Sequence, residues 1–593
     1  MRSRRIRAPQ GVCLAFKNML KTLKIFFRFM TEKKLAYTIF ILLIVASGIF
    51  SNIAPYFYKL LVEAIPSGDY QKLLWIIIAY ITASILGLLA AESSFWLSNY
   101  NVIDASAKLR AEVFAWVQEL DFAFHSSKST GSLISAFKRG DSAFFEFSFI
   151  VHHRIFDILV AFSVMIYFFV KLDPRIAGIV LLSLVLTLVA TKFLLQENIS
   201  KRKAFIEEED KVTDIITDNL LNYETVKLFA RERWEKSRLD QAFTPWKEKL
   251  WIFTNTYRKI DFVIGSIIFS AIFLILIFSA KAATTMQMSI GDFVLVVAFI
   301  GMFFPRLWDL VWSFRDMARN YSDIQKYFGL LDNSIEVKDP ENPVKVGKIQ
   351  GVLEFKNVNF AYKNRTKNAI NGFDLKINKG ESVALVGRSG SGKTTLAKLL
   401  MRFFDIKGEI SVDGINVKDF AKSDLRSFIG VVPQEPVLFN NTVRYNIGYG
   451  KSGVSLREIR SAAKIANIDS FIESLPDKYE TTVGERGVKL SGGQKQRLAI
   501  ARMILSNPDI VVFDEATSHL DSESEKLIQD AFWKARAGKT TIIIAHRLST
   551  IMRADKIVVM EHGKIKETGT HEGLLKKKDS LYSHFWNLQI KLD

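Results

Sequence analysis

Residues 387–394 contain the glycine, lysine and hydroxyl side chains that proteins use to bind phosphate groups. In order they are Gly387, Arg388, Ser389, Gly390, Ser391, Gly392, Lys393 and Thr394. They match the pattern G-x-x-x-x-G-K-[ST] and stand between the apolar run Val383–Val386 and a helical stretch. In such a loop backbone N–H groups surround the phosphates, Lys393 reaches the β and γ oxygens, and the Thr394 hydroxyl binds Mg²⁺. The sequence therefore predicts a nucleotide site here.

Two adjacent carboxylates supply the second half of this predicted site. Asp514 and Glu515 end the apolar run that begins at Ile510. An Asp-Glu pair at a strand end is usually a solvated turn, but a pair that accompanies a phosphate-binding loop has a chemical role. Asp514 is predicted to hold Mg²⁺ through water, and Glu515 to orient and deprotonate the water that attacks the γ-phosphate. Together the two motifs indicate hydrolysis of a nucleoside triphosphate.

The elements that must position these residues differ between the two halves of the chain. Of the 593 residues, 49% are hydrophobic, which is high for a soluble protein of this size. A helix needs about 20 apolar residues to cross a membrane. We predict a membrane domain of six helices, although Asp157, Arg306 and Asp309 interrupt two of the stretches. The apolar stretches are 35–58, 73–97, 149–170, 174–195, 262–281 and 291–312.

Lys and Arg residues are distributed unequally among the connecting segments. Residues 1–34 and the two long connections, 98–148 and 196–260, hold 28 of them, whereas the three short connections, 59–72, 171–173 and 282–290, hold three. Cytoplasmic segments carry such a surplus, so both termini and both long, helical arms are predicted to be cytoplasmic. This also accounts for the formal charge of +19 without nucleic acid as a partner. The basic N-terminal segment is predicted to be a cytoplasmic anchor, with a transit peptide as the alternative.

A polar segment with Pro340, Pro343 and Gly347 separates the two halves and is predicted to be a linker. Beyond it, short apolar runs alternate with helical stretches, which is typical of an α/β domain with a mostly parallel sheet. The predicted fold is an all-α six-helix transmembrane domain followed by an α/β phosphate-loop NTPase domain. The predicted divisions are 1–34 (basic segment), 35–315 (membrane domain), 316–350 (linker) and 351–593 (ATPase domain).

A short run in the second half resembles the signature of a known family. Leu490-Ser491-Gly492-Gly493-Gln494 looks like the ABC signature, and Thr482-Val483-Gly484-Glu485-Arg486-Gly487 resembles the exporter-type loop that precedes it. The resemblance covers essentially the whole chain. It implies an ABC exporter half-transporter, a membrane domain fused to an ATPase domain, with ATP and Mg²⁺ as cofactors. One departure from the family pattern is His519, where Ala is usual.

The resemblance also implies roles for residues outside the two phosphate motifs. Tyr362 would stack on adenine, Gln434 would contact Mg²⁺ and the membrane arms, and His546 would bind the γ-phosphate. Asp521 stands in the loop after the two carboxylates, and Thr395 extends the phosphate loop. The predicted catalytic residues are Glu515, His546 and Gln434, and the predicted metal-binding residues are Thr394, Gln434 and Asp514.

The chain has one phosphate loop and one signature, and in this family the signature of one chain completes the site of another. The resemblance therefore implies a dimer in which Ser491, Gly492, Gly493 and Gln494 contact the ATP of the partner copy. A homodimer is predicted because Glu515, the signature and His546 are all present, and a heterodimer is the alternative. The arm tips near 122–131 and 221–229 resemble coupling helices seated against the ATPase domains.

The arms also resemble one exporter branch. Residues 221–229 and 124–140 are similar to the branch that exports heavy metals, glutathione or its conjugates, so an amphipathic or glutathione-related substrate is predicted. A lipid flippase and a multidrug exporter with the same ATPase engine are the alternatives. The predicted location is the cell inner (plasma) membrane, with the mitochondrial inner membrane as the alternative.

Charged and aromatic residues in the sixth stretch are candidates for contacting the substrate. Arg306, Asp309 and Arg315 recur at helical spacing, interleaved with Trp308 and Trp312. Charges within a membrane segment rarely face lipid. Arg306, Asp309 and Trp312 are therefore predicted to line a cavity for an amphipathic, anionic substrate. The alternative is an ion pair between Arg306 and Asp309 at the inner interface.

Overall fold

The structure is a computed structural model that describes residues 21–128, 130–363, 367–484, 487, 489–514, 522–544 and 551–590. These residues pack into two compact units. The first contains the described residues of 1–119 and 129–333, and the second contains 120–128 and the described residues of 334–593. The segment Leu120–Lys128 therefore packs with the second half of the chain, although it lies within the first long arm of the membrane half.

The first unit is helical. Among the described residues, six helical stretches are long and apolar enough to cross a membrane, which confirms the predicted membrane domain. The helices are α1 (which includes residues 21–30), α2 (Lys34–Asn52), α3 (Ala54–Ala64), α4 (Tyr70–Glu119), α6 (Thr130–Phe149), α7 (Phe156–Leu172), α8 (Pro174–Leu221), α9 (Tyr223–Leu228), α10 (Glu232–Thr284) and α11 (Ile290–Phe328), while α5 (Phe122–Ser127) belongs to the second unit. A π-helical turn, Ile150–Ile155, joins α6 to α7.

Polar side chains join the start of α11 to α3. Ser289 and Asp292 form a capping box, in which each side chain accepts the backbone N–H of the other residue. Lys59 Nζ lies 2.5 Å from Asp292 Oδ1, and Ser289 Oγ donates to Glu63 Oε1 at 2.7 Å. The first and sixth spans are therefore tied together at this end.

Close packing fixes other helix pairs of the first unit. Phe162 on α7 and Phe303 on α11 have ring centroids 4.6 Å apart within an apolar core. Tyr327, near the end of α11, is fully buried against Gly140 of α6. A Cβ added at Gly140 would lie 2.3 Å from Tyr327 Cγ, so only glycine fits at this crossing.

The second unit contains two sheets in its described part. One has the order β2-β1-β4-β5 and is antiparallel. The other has the order β10-β9-β3-β8-β7-β6, in which only the β9–β10 pair of the described strands is antiparallel. The strands are β1 (Leu353–Phe360), β2 (Ile370–Ile377), β3 (Ser382–Val386), β4 (Lys407–Val412), β5 (Ile415–Asn416), β6 (Ile429–Val432), β7 (Ile510–Asp514), β8 (Thr540–Ile544), β9 (Lys556–Glu561) and β10 (Lys564–Gly569).

Helices cover the larger sheet. Strands β3, β7 and β8 are buried along their whole length, as parallel strands covered on both faces must be. The predicted α/β fold with a mostly parallel sheet is confirmed. The helices of this unit after α5 are α12 (Lys393–Leu400), α13 (Lys422–Ser427), α14 (Val443–Gly448), α15 (Leu456–Ile465), α16 (Asp469–Glu473), α17 (Gly492–Ser506), α18 (Ser522–Ala535), α19 (His571–Lys576) and α20 (Leu581–Ile590).

Candidate functional site

The phosphate-binding loop leaves the carboxyl end of β3 and leads into α12. A Cβ at Gly387 would lie 2.2 Å from the Met560 carbonyl oxygen, so a larger residue does not fit beside the neighbouring strand. Gly392 caps α12 with a φ of +105°, a conformation that L side chains rarely adopt. The shape of the loop therefore requires both glycines.

Lys393 and Thr394 form the first turn of α12. Lys393 is buried, and its Nζ donates to the carbonyl oxygens of Gly387 at 2.7 Å and Arg388 at 3.2 Å. The ammonium group therefore lies across the loop whose N–H groups would surround phosphates. The Thr394 hydroxyl donates to Asp514 Oδ1 at 3.2 Å. A hydroxyl and a carboxylate oxygen are the hard ligands that Mg²⁺ prefers.

The strand order of the larger sheet brings Asp514 to the loop. β8 lies between β3 and β7, and all three strands run in parallel, so their carboxyl ends reach the same edge. Asp514 is the last residue of β7 and lies opposite Ile544, the last residue of β8. Glu515, Asp521 and His546 lie outside the described residues, and their roles stay predictions.

Tyr362 lies beside the phosphate loop. Its hydroxyl is 3.2 Å from the Thr395 hydroxyl on α12. The half-buried ring makes edge contacts with Phe360 and Phe404, at centroid distances of 4.9 Å and 5.4 Å. An aromatic ring in this position can stack on a nucleotide base. Gln434 follows β6, has an exposed side chain, and accepts a hydrogen bond from Gln496 Nε2 on its backbone oxygen at 3.3 Å.

The signature forms the start of α17. Ser491 Oγ accepts the Gln494 N–H at 3.3 Å, and Gln494 Oε1 accepts the Ser491 N–H at 2.9 Å, which caps the helix. Gly492 and Gly493 form its first turn, and Ser491 and Gly492 are exposed. A helix N-terminus presents free N–H groups and partial positive charge. The signature therefore offers anion-binding donors at the surface of its unit.

The predicted substrate residues of the sixth span have different surroundings. Arg306 Nη1 lies 3.6 Å from Asp157 Oδ2 on α7, so the acid paired with it comes from the third span rather than from Asp309. The cavity beside Arg306 within this chain has a volume of about 10 Å³, and the role of Arg306 in binding a substrate stays a prediction. Asp309 is exposed. Trp312 contacts the Tyr257 ring at 5.7 Å and the Arg315 guanidinium at 4.4 Å.

A larger cleft, which the sequence analysis did not predict, lies next to Trp312 in the same unit. Its volume is about 320 Å³, and three helices contribute to its lining. Arg315 and Arg319 stand one turn apart on α11, and this spacing is the one sequence signal that could have indicated a basic face here. The lining includes Asn198, Arg202, Phe253, Tyr257, Arg315 and Arg319.

Comparison with known proteins assigns the chain to a family. The family model for the ABC transporter transmembrane region matches residues 37–307, and that for the ABC transporter matches residues 370–518. The protein named "ABC transporter B family member 6" from Dictyostelium discoideum is 35% identical over 585 residues, which cover 94% of this chain and 85% of that protein. The chain belongs to the ABC transporter family.

Two further similarities define the type of ABC transporter. The human "Iron-sulfur clusters transporter ABCB7, mitochondrial" is 35% identical over 493 residues, which cover 81% of this chain but only 64% of that protein. The solved structure of a bacterial Atm1-family ABC exporter with ATP bound is similar with a TM-score of 0.83 at 33% identity, covering 93% of this chain and 97% of that one. This ABC transporter is therefore a multi-pass membrane protein and an exporter half-transporter with an ATP-hydrolysing domain.

Proposed function

We propose that this ABC exporter is a homodimer that uses Mg²⁺-ATP to export an amphipathic anion of the glutathione type. The observation that carries the substrate proposal is the arginine-rich cleft of the membrane domain. Arg202 belongs to the arm predicted to be cytoplasmic, so the cleft is reached from the side on which ATP is hydrolysed. An exporter takes up its substrate from that side.

The cleft combines the groups that an amphipathic anion needs. The guanidinium groups of Arg202, Arg315 and Arg319 can bind carboxylates in a bidentate manner. Asp316, an acid in the lining, already accepts hydrogen bonds from Arg315 at 2.6 Å and 3.0 Å. Positive charge therefore remains for a ligand, while Phe253 and Tyr257 supply apolar surface. The volume of about 320 Å³ lies within the usual range of small-molecule sites.

A glutathione-type substrate also agrees with the name of one relative. That name assigns iron-sulfur clusters to the human protein. Iron-sulfur clusters are bound through thiolates, and glutathione is a thiol that carries two carboxylates. Thiol chemistry and negative charge are thus combined in one small molecule of suitable size.

The residues around the phosphate loop fit Mg²⁺. Thr394 and Asp514 would hold the ion, because their oxygens converge and both are hard ligands. Mg²⁺ bound there would neutralise charge on the β- and γ-phosphates. The chain itself would bind the phosphates through Lys393 and the loop N–H groups, and Glu515 would accept the proton of the attacking water.

The second copy is proposed because the site is shared between chains in this family. The exposed N-terminus of α17 at Ser491 is suited to complete the site of a partner. The tip of the second arm also presents an apolar surface, since Leu221, Tyr223, Leu228 and Phe229 are all exposed. An exposed apolar patch of this kind marks an interaction site, and a second copy of the chain is the partner that we propose for it. A mixture of the Lys393→Ala and Gly492→Asp variants should recover part of the ATPase activity that each lacks alone, whereas full activity in a strict monomer would contradict the dimer.

We propose the cell inner (plasma) membrane as the location, with both termini in the cytoplasm. The surplus of Lys and Arg in the terminal segment and the long arms supports this orientation. The mitochondrial inner membrane is the alternative, and cell fractionation with an antibody to the C-terminus distinguishes the two.

An ATPase assay in lipid nanodiscs tests the substrate. Glutathione disulfide or a glutathione S-conjugate should stimulate hydrolysis, and Arg319→Ala should raise the half-maximal concentration at least about tenfold, because a charged hydrogen bond contributes about 1.5–3 kcal/mol. Arg233→Ala, an exposed arginine of α10 outside the cleft, is the matched control, and Glu515→Gln is the inactive one. Stimulation by lipids or cationic drugs alone, unaffected by Arg319→Ala, would contradict the proposal and favour a flippase or a multidrug exporter.

A further inference from the structure

Aromatic contacts connect Tyr362, the predicted adenine-stacking residue, to Phe122 in the arm segment Leu120–Lys128 within the second unit. Tyr362 meets Phe404 edge to face, with ring centroids 5.4 Å apart. Phe404 meets Phe122 of α5 in the same manner at 6.0 Å. Both distances lie in the favourable range for aromatic pairs. A continuous row of contacts therefore runs from Tyr362 through Phe404 to α5.

The far end of this aromatic row is held on several sides. Phe122 stacks on Phe403 with centroids 4.8 Å apart and an interplanar angle of 6°. Lys398 Nζ lies 5.4 Å from the centroid of the Phe122 ring. Lys398 belongs to α12, the helix that begins in the phosphate loop. Asp121 accepts backbone N–H groups of the linker, from Glu336 and from Val337. The segment is thus in contact with both α12 and the linker.

The near end is held at the hydroxyl and at the ring edge. The Tyr362 hydroxyl contacts Thr395, and its edge contacts Phe404. A base that stacks on the ring face restricts the orientation of the ring. Because the edge contact depends on that orientation, Phe404 is restricted as well.

The exposure of the rings sets this row apart from the domain core. Tyr362 and Phe404 are half-buried, and Phe122 is 37% exposed, whereas core rings such as Phe373 and Phe420 are fully buried. The row stands between the nucleotide site and a segment whose two ends continue into α4 and α6.

We propose that Phe404 is a positioning residue that transmits the presence of a nucleotide base on Tyr362 to Phe122. The first arm then responds to the base as well as to the phosphates. α4 ends at Glu119 and α6 begins at Thr130, so a change in α5 passes covalently into both long helices. This proposal rests on the adenine-stacking role of Tyr362.

Hydrogen exchange of full-length protein in nanodiscs tests the proposal. The Glu515→Gln background keeps ATP intact, and exchange is followed in peptides that cover residues 120–128. ATP is expected to slow this exchange by about fivefold or more, which is the lower end of the typical coupling between two sites. Inorganic tripolyphosphate, which has no base, is expected to slow the exchange by a smaller factor. Phe404→Leu should abolish the ATP effect and keep the dissociation constant of ATP within about twofold. Phe404→Tyr should restore the effect.

Two controls separate transmission from general packing. Phe471→Leu changes another half-buried aromatic residue of the same unit, on α16, and should leave the ATP effect unchanged. Thermal unfolding of each variant shows whether it is folded. If Phe404→Leu does not fold, Phe122→Leu at the more exposed end of the row provides the same comparison.

Two outcomes would overturn the inference. One is an unchanged ATP effect on residues 120–128 in folded Phe404→Leu that still binds ATP, and the other is equal protection by ATP and tripolyphosphate in the parent. A separate measurement shows whether Tyr362 stacks on adenine at all. If it does not, Tyr362→Leu binds ATP as tightly as the parent, which the dissociation constant reveals directly.

Discussion

The Thr394 hydroxyl lies 3.2 Å from Asp514 Oδ1, although 120 residues separate them in sequence. The sheet order makes this contact, because β8 alone separates the strands that end at the two sites. We expect Asp514→Asn to raise the Mg²⁺ concentration needed for half-maximal ATPase activity at least about tenfold. Thr394→Ala should act in the same direction, and Thr394→Ser, which keeps the hydroxyl, should not. An Mg²⁺ titration of Asp514→Asn that overlays the parent would contradict this assignment.

The ion pair between Lys59 and Asp292 should stabilise the membrane domain. Both side chains are largely buried, with exposures of 22% and 17%, so removal of one charge leaves the other poorly solvated. Lys59→Met is expected to lower the free energy of unfolding by about 1–3 kcal/mol. The double variant Lys59→Met with Asp292→Asn should recover most of the loss. Melting temperatures of the parent and both variants are compared in the same lipid composition. Equal melting temperatures of the single and double variants would contradict the pairing.

Gly140 allows α6 to approach Tyr327, so we expect Gly140→Ala to destabilise the first unit. The new Cβ would lie 2.3 Å from Tyr327 Cγ and 2.4 Å from its Cβ, and overpacking of this kind typically costs about 1–3 kcal/mol. Gly178→Ala is the matched control, because a Cβ at this helical position meets nothing within 4 Å. It should be neutral or stabilising by up to about 1 kcal/mol. Melting temperatures in detergent provide the measurement, and similar values for the two variants would contradict the expectation.

Glu567 should make the attachment of α20 depend on pH. Burial of its carboxylate, the largest single effect, would raise the pKa, but hydrogen bonds from the Leu581 amide, the Ser580 hydroxyl and the Tyr582 amide together lower it. A lowered pKa in the folded state contributes stability at pH values above the unfolded pKa of about 4.3. That stability is lost as the pH falls through the folded pKa.

Hydrogen exchange of residues 577–590, corrected for the intrinsic effect of pH, tests this dependence. Protection in the parent should fall as Glu567 is protonated. Glu567→Gln should show weaker protection at pH 7 and a flat profile across the same range. Parallel profiles for the two proteins would rule out a contribution from Glu567.

Local patterns predicted the six spans, the phosphate loop and the strand that ends at Asp514. Each of these features depends on one continuous segment of sequence, which is either a long apolar run or a motif flanked by a strand and a helix. The glycine pattern of the loop also has a local cause, since positive φ at Gly392 is a property of one residue. The structure confirms the six spans and the strand, but several helices extend well beyond the predicted apolar stretches, as α4 (Tyr70–Glu119) does beyond 73–97.

Contacts between distant parts of the chain could not be predicted in the same way. The cleft combines Arg202, Tyr257 and Arg315 from three helices, and no local pattern relates them. Arg306 pairs with Asp157 across two helices, whereas helical spacing pointed to Asp309. Sequence spacing describes one helix at a time, and these sites depend on which faces of separate helices meet.

The packing of Leu120–Lys128 with the second unit bears on how such transporters can be recombined. A chimera cut at the linker would give the incoming ATPase domain a foreign peptide opposite Phe403 and would remove the acceptor that Asp121 offers to Val337. The unit of exchange is therefore discontinuous in the gene. A transplanted ATPase domain therefore has to be transferred together with its own segment Leu120–Lys128.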